Sequence, residues 1–156
     1  MAWTNSKIFR QYLADIVGNV TAMDYDADTV KLALYGNGIT PDNDVTAVNS
    51  AFDVGQWDNV AEIFDGAEWP AGGQTLGSKT ISVAVADTVT IDAADSASGS
   101  SATLLTVFGG LVYDDTIATP VAKQGFCYLY FGGTQSITDG TMTIVYNPLG
   151  IMSFGL

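Results

Sequence analysis

The sequence predicts a mainly β domain, either an antiparallel β-sandwich or a jelly-roll-like fold, with one N-terminal α-helix. From residue 28 onward, several short segments alternate apolar and polar residues, which is the pattern of half-buried strands. Glycine-rich and aspartate-containing turns separate these segments, as in antiparallel sheets. The 156 residues suit one domain, divided into a helical segment (1–19), a sandwich (28–148) and an apolar C-terminal segment (149–156).

The helix is expected over residues 4–17. Its apolar residues recur on one helical face, at Ile8, Phe9, Tyr12, Leu13, Ile16 and Val17. Residues 4–6 offer side chains that can cap the start, and Gly18 can end the helix. We therefore expect this stripe to pack against the sandwich.

The strands are expected where the apolar period changes to two. They are predicted at 30–34, Thr80–Val85, Thr88–Asp92, 104–113, 125–131 and 141–146. In the second of them, Ile81, Val83 and Val85 are expected to face inward. Asp139-Gly140 predicts a tight turn before the last strand. The low-complexity stretch 92–103 is interpreted as an exposed, mobile loop, and 125–131 as a central strand that is apolar on both faces.

The charge balance argues against several classes of partner. Seventeen acidic residues face five scattered basic ones, for a formal net charge of −12. Nucleic acids and anionic membrane surfaces both require clustered basic residues, so neither partner is expected. No apolar run reaches the roughly 20 residues that span a bilayer, and the N-terminus does not resemble a signal peptide. We expect a protein made in the cytoplasm.

Few residues are available for catalysis or metal binding. The chain has no histidine, which removes Ser-His and Cys-His nucleophilic arrangements. Its single cysteine, Cys127, lies in an aromatic run and is interpreted as a buried core residue. The sequence therefore predicts a protein that is not an enzyme and has no cofactor.

Asp24, Asp26 and Asp28 form the one weak candidate for a metal site. If extended, this segment places three carboxylates on one face, where they could bind Ca²⁺. The EF-hand pattern then fails, because Thr29 and Tyr35 stand where glycine and glutamate belong. A solvated acidic turn before the first strand is the favoured interpretation.

A second acidic cluster lies close to Trp57 and Trp69 in the sequence. Its members are Asp58, Glu62, Asp65 and Glu68. Carboxylates beside aromatic rings suit sugar recognition, and two carboxylates across a cleft suit glycoside hydrolysis. A carbohydrate-binding β-sandwich module is therefore a distant alternative function, which requires that Trp57 or Trp69 is exposed.

Several motifs of the sandwich region occur in a definite order. They are a strand at Val30–Tyr35 before a Gly/Pro/Asp loop, an aromatic residue and a Gly-Gly-x-x-Leu turn within 68–76, a strand ending in a Tyr-Asp turn at 109–115, and the segments 130–133, 137–144 and 150–151. Together they resemble a group of small virion proteins encoded among the structural genes of tailed bacteriophages. Two features differ: Trp69 stands where that pattern has tyrosine, and the 92–103 loop is longer.

The resemblance implies a structural component of a phage particle. Capsid decoration or cementing on the outer shell is the first expectation, with a tail- or fibre-associated virion protein as the alternative. The implied partners are other virion proteins, chiefly the major capsid protein, and further copies of the chain in a homo-oligomer. The implied location is the virion, after synthesis in the host cytoplasm. No catalytic residue is transferred by this resemblance.

Apolar residues at both ends of the chain and near the Gly72-Gly73 turn are the candidate interface residues. These are Trp3, Phe9, Trp57, Trp69, Ile151, Met152, Phe154 and Leu156. Two explanations remain open for the ends: each folds back on its own sandwich, or at least one docks on a neighbouring subunit. At least one glycine of the turn is expected to take a positive φ, with the turn presenting Trp69, and a flexible spacer is the alternative interpretation.

Overall fold

A computed structural model describes residues 3–85 and 87–155, apart from the side chains of Ala84 and Val85. Helix α1 covers Arg10–Val17 and helix α2 covers Ala47–Ser50, and short 3₁₀ helices lie at Gly55–Trp57 and Asn59–Ala61. The strands, β1 to β11 in chain order, are Lys7–Ile8, Val30–Tyr35, Glu62–Ile63, Gln74–Thr75, Thr80–Val85, Thr88–Asp92, Ser96–Ala97, Ala102–Asp114, Gly125–Gly140, Thr143–Ile144 and Met152–Gly155.

The chain is mainly β, and its antiparallel sheets are consistent with a β-sandwich-like domain. In the largest sheet the order is β1-β9-β8-β2-β3, and β4 also pairs with β2. Strands β11, β6 and β5 form a second sheet in that order, and β10 pairs with β7. Within the described ranges, no helix is both long enough and apolar enough to cross a membrane.

Most of the predicted strands are confirmed. Those expected at 30–34, Thr80–Val85, Thr88–Asp92, 104–113 and 125–131 correspond to β2, β5, β6, β8 and β9. Strand β2 is buried along nearly its whole length, and it is an inner strand of the sheet, with β8 on one side and β3 and β4 on the other. Strand β9 is longer than predicted, and it is central only near its start, where β1 pairs with its outer edge.

The first half of the predicted helix is wrong. Lys7–Ile8 is a strand paired with β9, and Phe9 donates its N–H to the carbonyl oxygen of Phe126 at 3.1 Å. This pairing holds the chain extended, so the helix begins only at Arg10. The predicted end at Gly18 is confirmed.

The segment 92–103 is not the exposed loop that its composition indicates. It contains β7, and the side chains of Ser96 and Ser98 are buried. Each has a partner: the hydroxyl of Ser96 lies 2.8 Å from that of Tyr146, and Ser98 Oγ accepts the N–H of Met142 at 2.9 Å. Small polar residues can be buried here because their hydrogen bonds are satisfied.

The last predicted strand is shorter than expected, although its alternation is correct. Met142, Ile144 and Tyr146 are buried, whereas only Thr143–Ile144 forms a strand. That strand pairs with β7, so the turn expected at Asp139-Gly140 does not join a β9–β10 hairpin. Strand β10 pairs with β7 instead of β9, and the preceding residue, Met142, donates its N–H to Ser98, which follows β7.

The face of β5 expected to lie inward is exposed. Ile81 is 48% exposed and Val83 is 78% exposed, which corrects the expected burial of these two residues. The side chain of Val85, which was expected on the same face, lies outside the described residues. The buried side chains of this small sheet come instead from the other two strands, at Ile91 and Met152. Strand β5 lies at the edge of the sheet, so its side chains are covered least.

The N-terminal segment covers one end of the main sheet. The ring of Phe126 meets those of Tyr12 and Tyr25, with centroids 4.9 and 5.6 Å apart respectively. Buried Asp15 accepts a hydrogen bond from Gln124 Nε2 at 2.8 Å, which fixes α1 to the start of β9. These contacts make the helix part of the core.

Candidate functional site

Most of the candidate interface residues lie inside the chain's own core. Trp3, Phe9, Trp57, Trp69 and Met152 are each 2% exposed or less. The ring centroid of Trp57 lies 5.9 Å from that of Trp3 and 6.2 Å from that of Phe9. In this conformation these side chains are not available to another subunit, so a subunit contact must use other residues.

The C-terminal segment folds back on the domain as β11. Met152 lies opposite Ile91 and Phe154 opposite Val89 in β6. Phe154 and Ile151 are half-buried against the core, and Leu156 lies outside the described residues. Both described ends therefore pack on their own domain, which is the first of the two explanations left open by the sequence.

The turn at Gly72-Gly73 is built as predicted but does not present Trp69. Both glycines have positive φ, +83° and +82°, yet the Trp69 side chain is fully buried. Trp57 is buried as well. A sugar-binding face made from these tryptophans would require them at the surface, so their positions argue against that alternative.

The acidic cluster near the tryptophans anchors loops. Asp65 Oδ2 accepts the N–H of Thr103 at 2.6 Å, and Glu68 Oε2 accepts that of Ser101 at 3.2 Å. Asp58 caps the second 3₁₀ helix through the N–H of Val60. Asp65 and Glu68 thus bind the same neighbouring segment, while Glu62 lies in a separate cleft. The carboxylates of Asp58, Asp65 and Glu68 therefore each accept a hydrogen bond from a backbone N–H group.

The cleft that contains Glu62 has a volume of about 520 Å³ and is lined by aromatic and charged side chains. The rings of Phe52 and Tyr113 stack with centroids 4.8 Å apart, and the ammonium group of Lys123 lies over the Phe52 ring at 5.1 Å. On another wall, Lys31 forms an ion pair with Asp115 at 2.6 Å. Lys31 is therefore already paired within the chain.

The carboxyl group of Glu62 lies in this cleft and has a raised pKa. Burial raises the pKa of Glu62 to about 7, and the hydrogen bond from the N–H of Gly72, at 2.7 Å, opposes this rise. A carboxyl with such a pKa can exchange protons near neutral pH. Its bond to Gly72 also fixes the turn after Trp69, which is a structural role.

The Asp24–Asp28 segment is an acidic turn. Asp24 Oδ1 accepts the N–H groups of Asp26 and Ala27, and Asp28 Oδ2 accepts that of Asp24. The carboxylates of Asp24 and Asp28 thus bind the backbone of their own turn. Across residues 3–85 and 87–155, no group of three or more Cys, Asp or Glu side chains is arranged as metal ligands would be.

The exposed apolar residues of α1 and β5 line one groove, which we name the α1 groove. It has a volume of about 640 Å³ and lies between α1 and the β11-β6-β5 sheet. Ile16 and Val17 are 36% and 86% exposed, although the helical stripe predicted both to be buried. Ile81 lines the sheet side, and Asp24 is the one charged residue among the described residues of the lining.

Sequence reasoning missed this groove although one signal was present. The apolar stripe was assigned to a helix starting at residue 4, which could bury it along its whole length. The helix ends where the sequence predicts it, so its length does not explain the exposure of Ile16 and Val17. The part of the stripe that packs on the main sheet is its start, at Phe9 and Tyr12, which are buried.

Comparisons with protein-family models, curated proteins and solved structures found no match.

Proposed function

We propose that this chain is a structural, non-enzymatic subunit of a tailed-phage particle. In this proposal it decorates the outer face of the capsid shell by contact with the major capsid protein. The observation that carries it is the α1 groove, an apolar surface on an otherwise acidic chain. Contiguous exposed apolar surface on a soluble domain usually marks a contact with another protein.

The side chains of the α1 groove supply the expected binding energy. Val17 and Ile81 lose water contact when a partner covers them, and each large apolar side chain contributes about 1.5–3 kcal/mol when fully buried. The near-absence of charge in the lining suits a contact core, since contact cores are depleted in charged residues.

The net charge favours a position outside the shell. With a formal net charge of −12, the chain is repelled by packaged DNA, which carries a dense negative charge. The outer face is farther from that charge than the lumen. A tail- or fibre-associated position also satisfies this argument. Identifying the particle component that binds the chain would distinguish a capsid position from a tail position.

A binding experiment tests the proposal. Purified protein is added to particles made from a genome that lacks its gene, and the bound protein is measured after sedimentation. Val17→Asp places a charge in the α1 groove and should reduce binding about tenfold or more, because an unpaired charge is costly to bury. Val60→Asp is the matched control, since Val60 is 89% exposed and lies outside the groove.

The possible outcomes test the proposed function and the proposed docking surface separately. If the wild type does not bind shells, decoration is wrong, and binding to tails alone supports the tail-associated alternative. If Val17→Asp binds as well as Val60→Asp, the α1 groove is not the docking surface.

A further inference from the structure

Strand β9 is paired on both sides only near its start. Lys7 and Ile8 of β1 lie opposite Tyr128 and Cys127, and Ser6 Oγ accepts the N–H of Tyr130 at 2.9 Å. Beyond this point β9 continues to Gly140 beside β8, and in the described part of the chain no other strand pairs with its outer edge. The N-terminal segment shows that this edge accepts an extended chain.

The open part of this edge borders a groove, which we name the edge groove. It consists of adjoining cavities of about 500 and 350 Å³ that share Tyr130, Phe131, Ile144 and Val145. Residues 141–147 form the opposite wall. Within that wall Ile144 is buried, whereas Val145 is 72% exposed.

The lining of the edge groove carries no charged side chain among the described residues of either cavity. This is notable in a chain with a net charge of −12. Exposed strand edges are usually protected by lysine or proline, and residues 131–138 contain neither. The ladder between β9 and β8 shifts its register around Gly132 and Gly133, which both have positive φ, and shifts again between Gln135 and Ile137.

We infer that the edge groove binds an extended, uncharged segment of a neighbouring virion subunit by strand addition to residues 134–138 of β9. This inference rests on the proposed function, because it names the segment that the particle supplies. Unpaired backbone groups select an extended polypeptide, and the apolar part of the lining selects small or apolar side chains at alternate positions. Ile137, Phe131 and Val145 provide that lining.

The occupant belongs to a different protein. Two copies of this chain repel each other through their net charge, and the uncharged edge groove offers no ion pair to offset that repulsion. A less acidic subunit avoids this cost. An uncharged segment also leaves no unpaired charge in the groove.

Backbone amide exchange on the isolated full-length protein tests the inference. The probe is a capped, uncharged heptapeptide of alternating threonine and valine with one added terminal serine, and the control peptide has proline at its centre, which prevents strand pairing. The probe at saturation should slow amide exchange within residues 134–138 about tenfold, which corresponds to a protection of about 1.4 kcal/mol. The proline peptide should leave exchange unchanged.

Variants locate the binding surface. Val145→Asp should abolish the slowing, and Val60→Asp, which is also highly exposed but lies outside the groove, should retain it. The inference is overturned if both peptides act alike, if exchange does not slow, or if Val145→Asp still responds.

This test is independent of the particle. Slowed exchange with a protein absent from particles would overturn the proposed function and support a strand-binding groove. A protein present in particles but without slowed exchange would overturn the strand inference alone.

Discussion

The indole ring of Trp3 lies edge to face against that of Trp57, with centroids 5.9 Å apart and planes at 68°. Trp3 also donates its Nε1–H to the carbonyl oxygen of Gly36 at 3.0 Å. Its side chain is buried, with Tyr128 and Tyr130 close by. The N-terminal segment is therefore part of the fold, and its removal should act on stability first.

Replacing Trp3 tests this assignment. Trp3→Ala should lower the free energy of unfolding by about 3–5 kcal/mol, because it leaves a large cavity and an unpaired carbonyl group at Gly36. Thr4→Ala, at an exposed position, is the control and should change it little. Denaturant unfolding measures both. A stable Trp3→Ala variant that no longer joins particles would contradict this assignment and indicate that Trp3 contacts another subunit.

The two glycines of the Gly72-Gly73 turn should differ in their tolerance. A Cβ at Gly73 would overlap the carbonyl group of Leu32, whereas one at Gly72 would lie 3.4 Å from the hydroxyl of Tyr113. Both variants carry the strain of positive φ, about 1–3 kcal/mol. Gly73→Ala should therefore destabilise clearly more than Gly72→Ala in denaturant melts. Equal losses of stability in the two variants would mean that the turn moves away from Leu32 easily and so relieves the overlap at Gly73.

Strand β9 should be most sensitive at its start. Phe126 is fully buried and contacts Tyr12 and Tyr25, so Phe126→Ala should cost about 3–5 kcal/mol. Leu129 is only partly buried, so Leu129→Ala should cost less, about 1–2 kcal/mol. The same melts compare them. A larger loss of stability for Leu129→Ala would mean that the Leu129 side chain is covered more fully in solution than its partial burial indicates.

Stability should decrease as the pH rises towards neutrality. Burial raises the pKa of Glu62 from 4.5 to about 7, so the folded chain holds this proton more tightly than the unfolded chain. The free energy of unfolding therefore falls between about pH 4.5 and pH 7. Glu62→Gln removes this loss and keeps an oxygen acceptor for the N–H of Gly72.

At pH 8 the Glu62→Gln variant should be more stable than the wild type by roughly 1–3 kcal/mol, and near pH 4 the difference should disappear. Denaturant unfolding at both pH values measures it. Burial also raises the pKa of Asp114, to about 6, and the neighbouring Asp28 carboxyl adds to the rise. Part of the slope should therefore remain in the variant. A difference that does not change with pH would contradict this assignment.

The sequence predicts the strands well where apolar and polar residues alternate along a single segment. Strands β2 and β6 and the buried side chains Met142, Ile144 and Tyr146 follow from such period-2 sequence patterns. Such patterns depend on local geometry, because successive side chains of a strand point to opposite faces. The positive φ of Gly72 and Gly73 is also predictable from local sequence, because glycine has no Cβ and adopts this conformation without strain.

The sequence does not predict which surface covers an apolar side chain. Trp57 and Trp69 were interface candidates, and both are buried by segments that are distant in the chain. Ile81 and Val83 were expected inside and are exposed, because β5 lies at a sheet edge. The predicted start of the helix is wrong for a similar reason. The pairing of Lys7–Ile8 with β9 is a long-range contact that overrides the local helical pattern.

Quantitative mass spectrometry of gradient-purified particles tests the central claim most directly. The measurement is the molar ratio of this chain to the major capsid protein across the particle peak. The proposed function predicts a ratio that stays constant through the peak and that falls when Val17→Asp, but not Val60→Asp, replaces the wild type. A chain that is absent from the peak, or present only in traces that wash away, would contradict it.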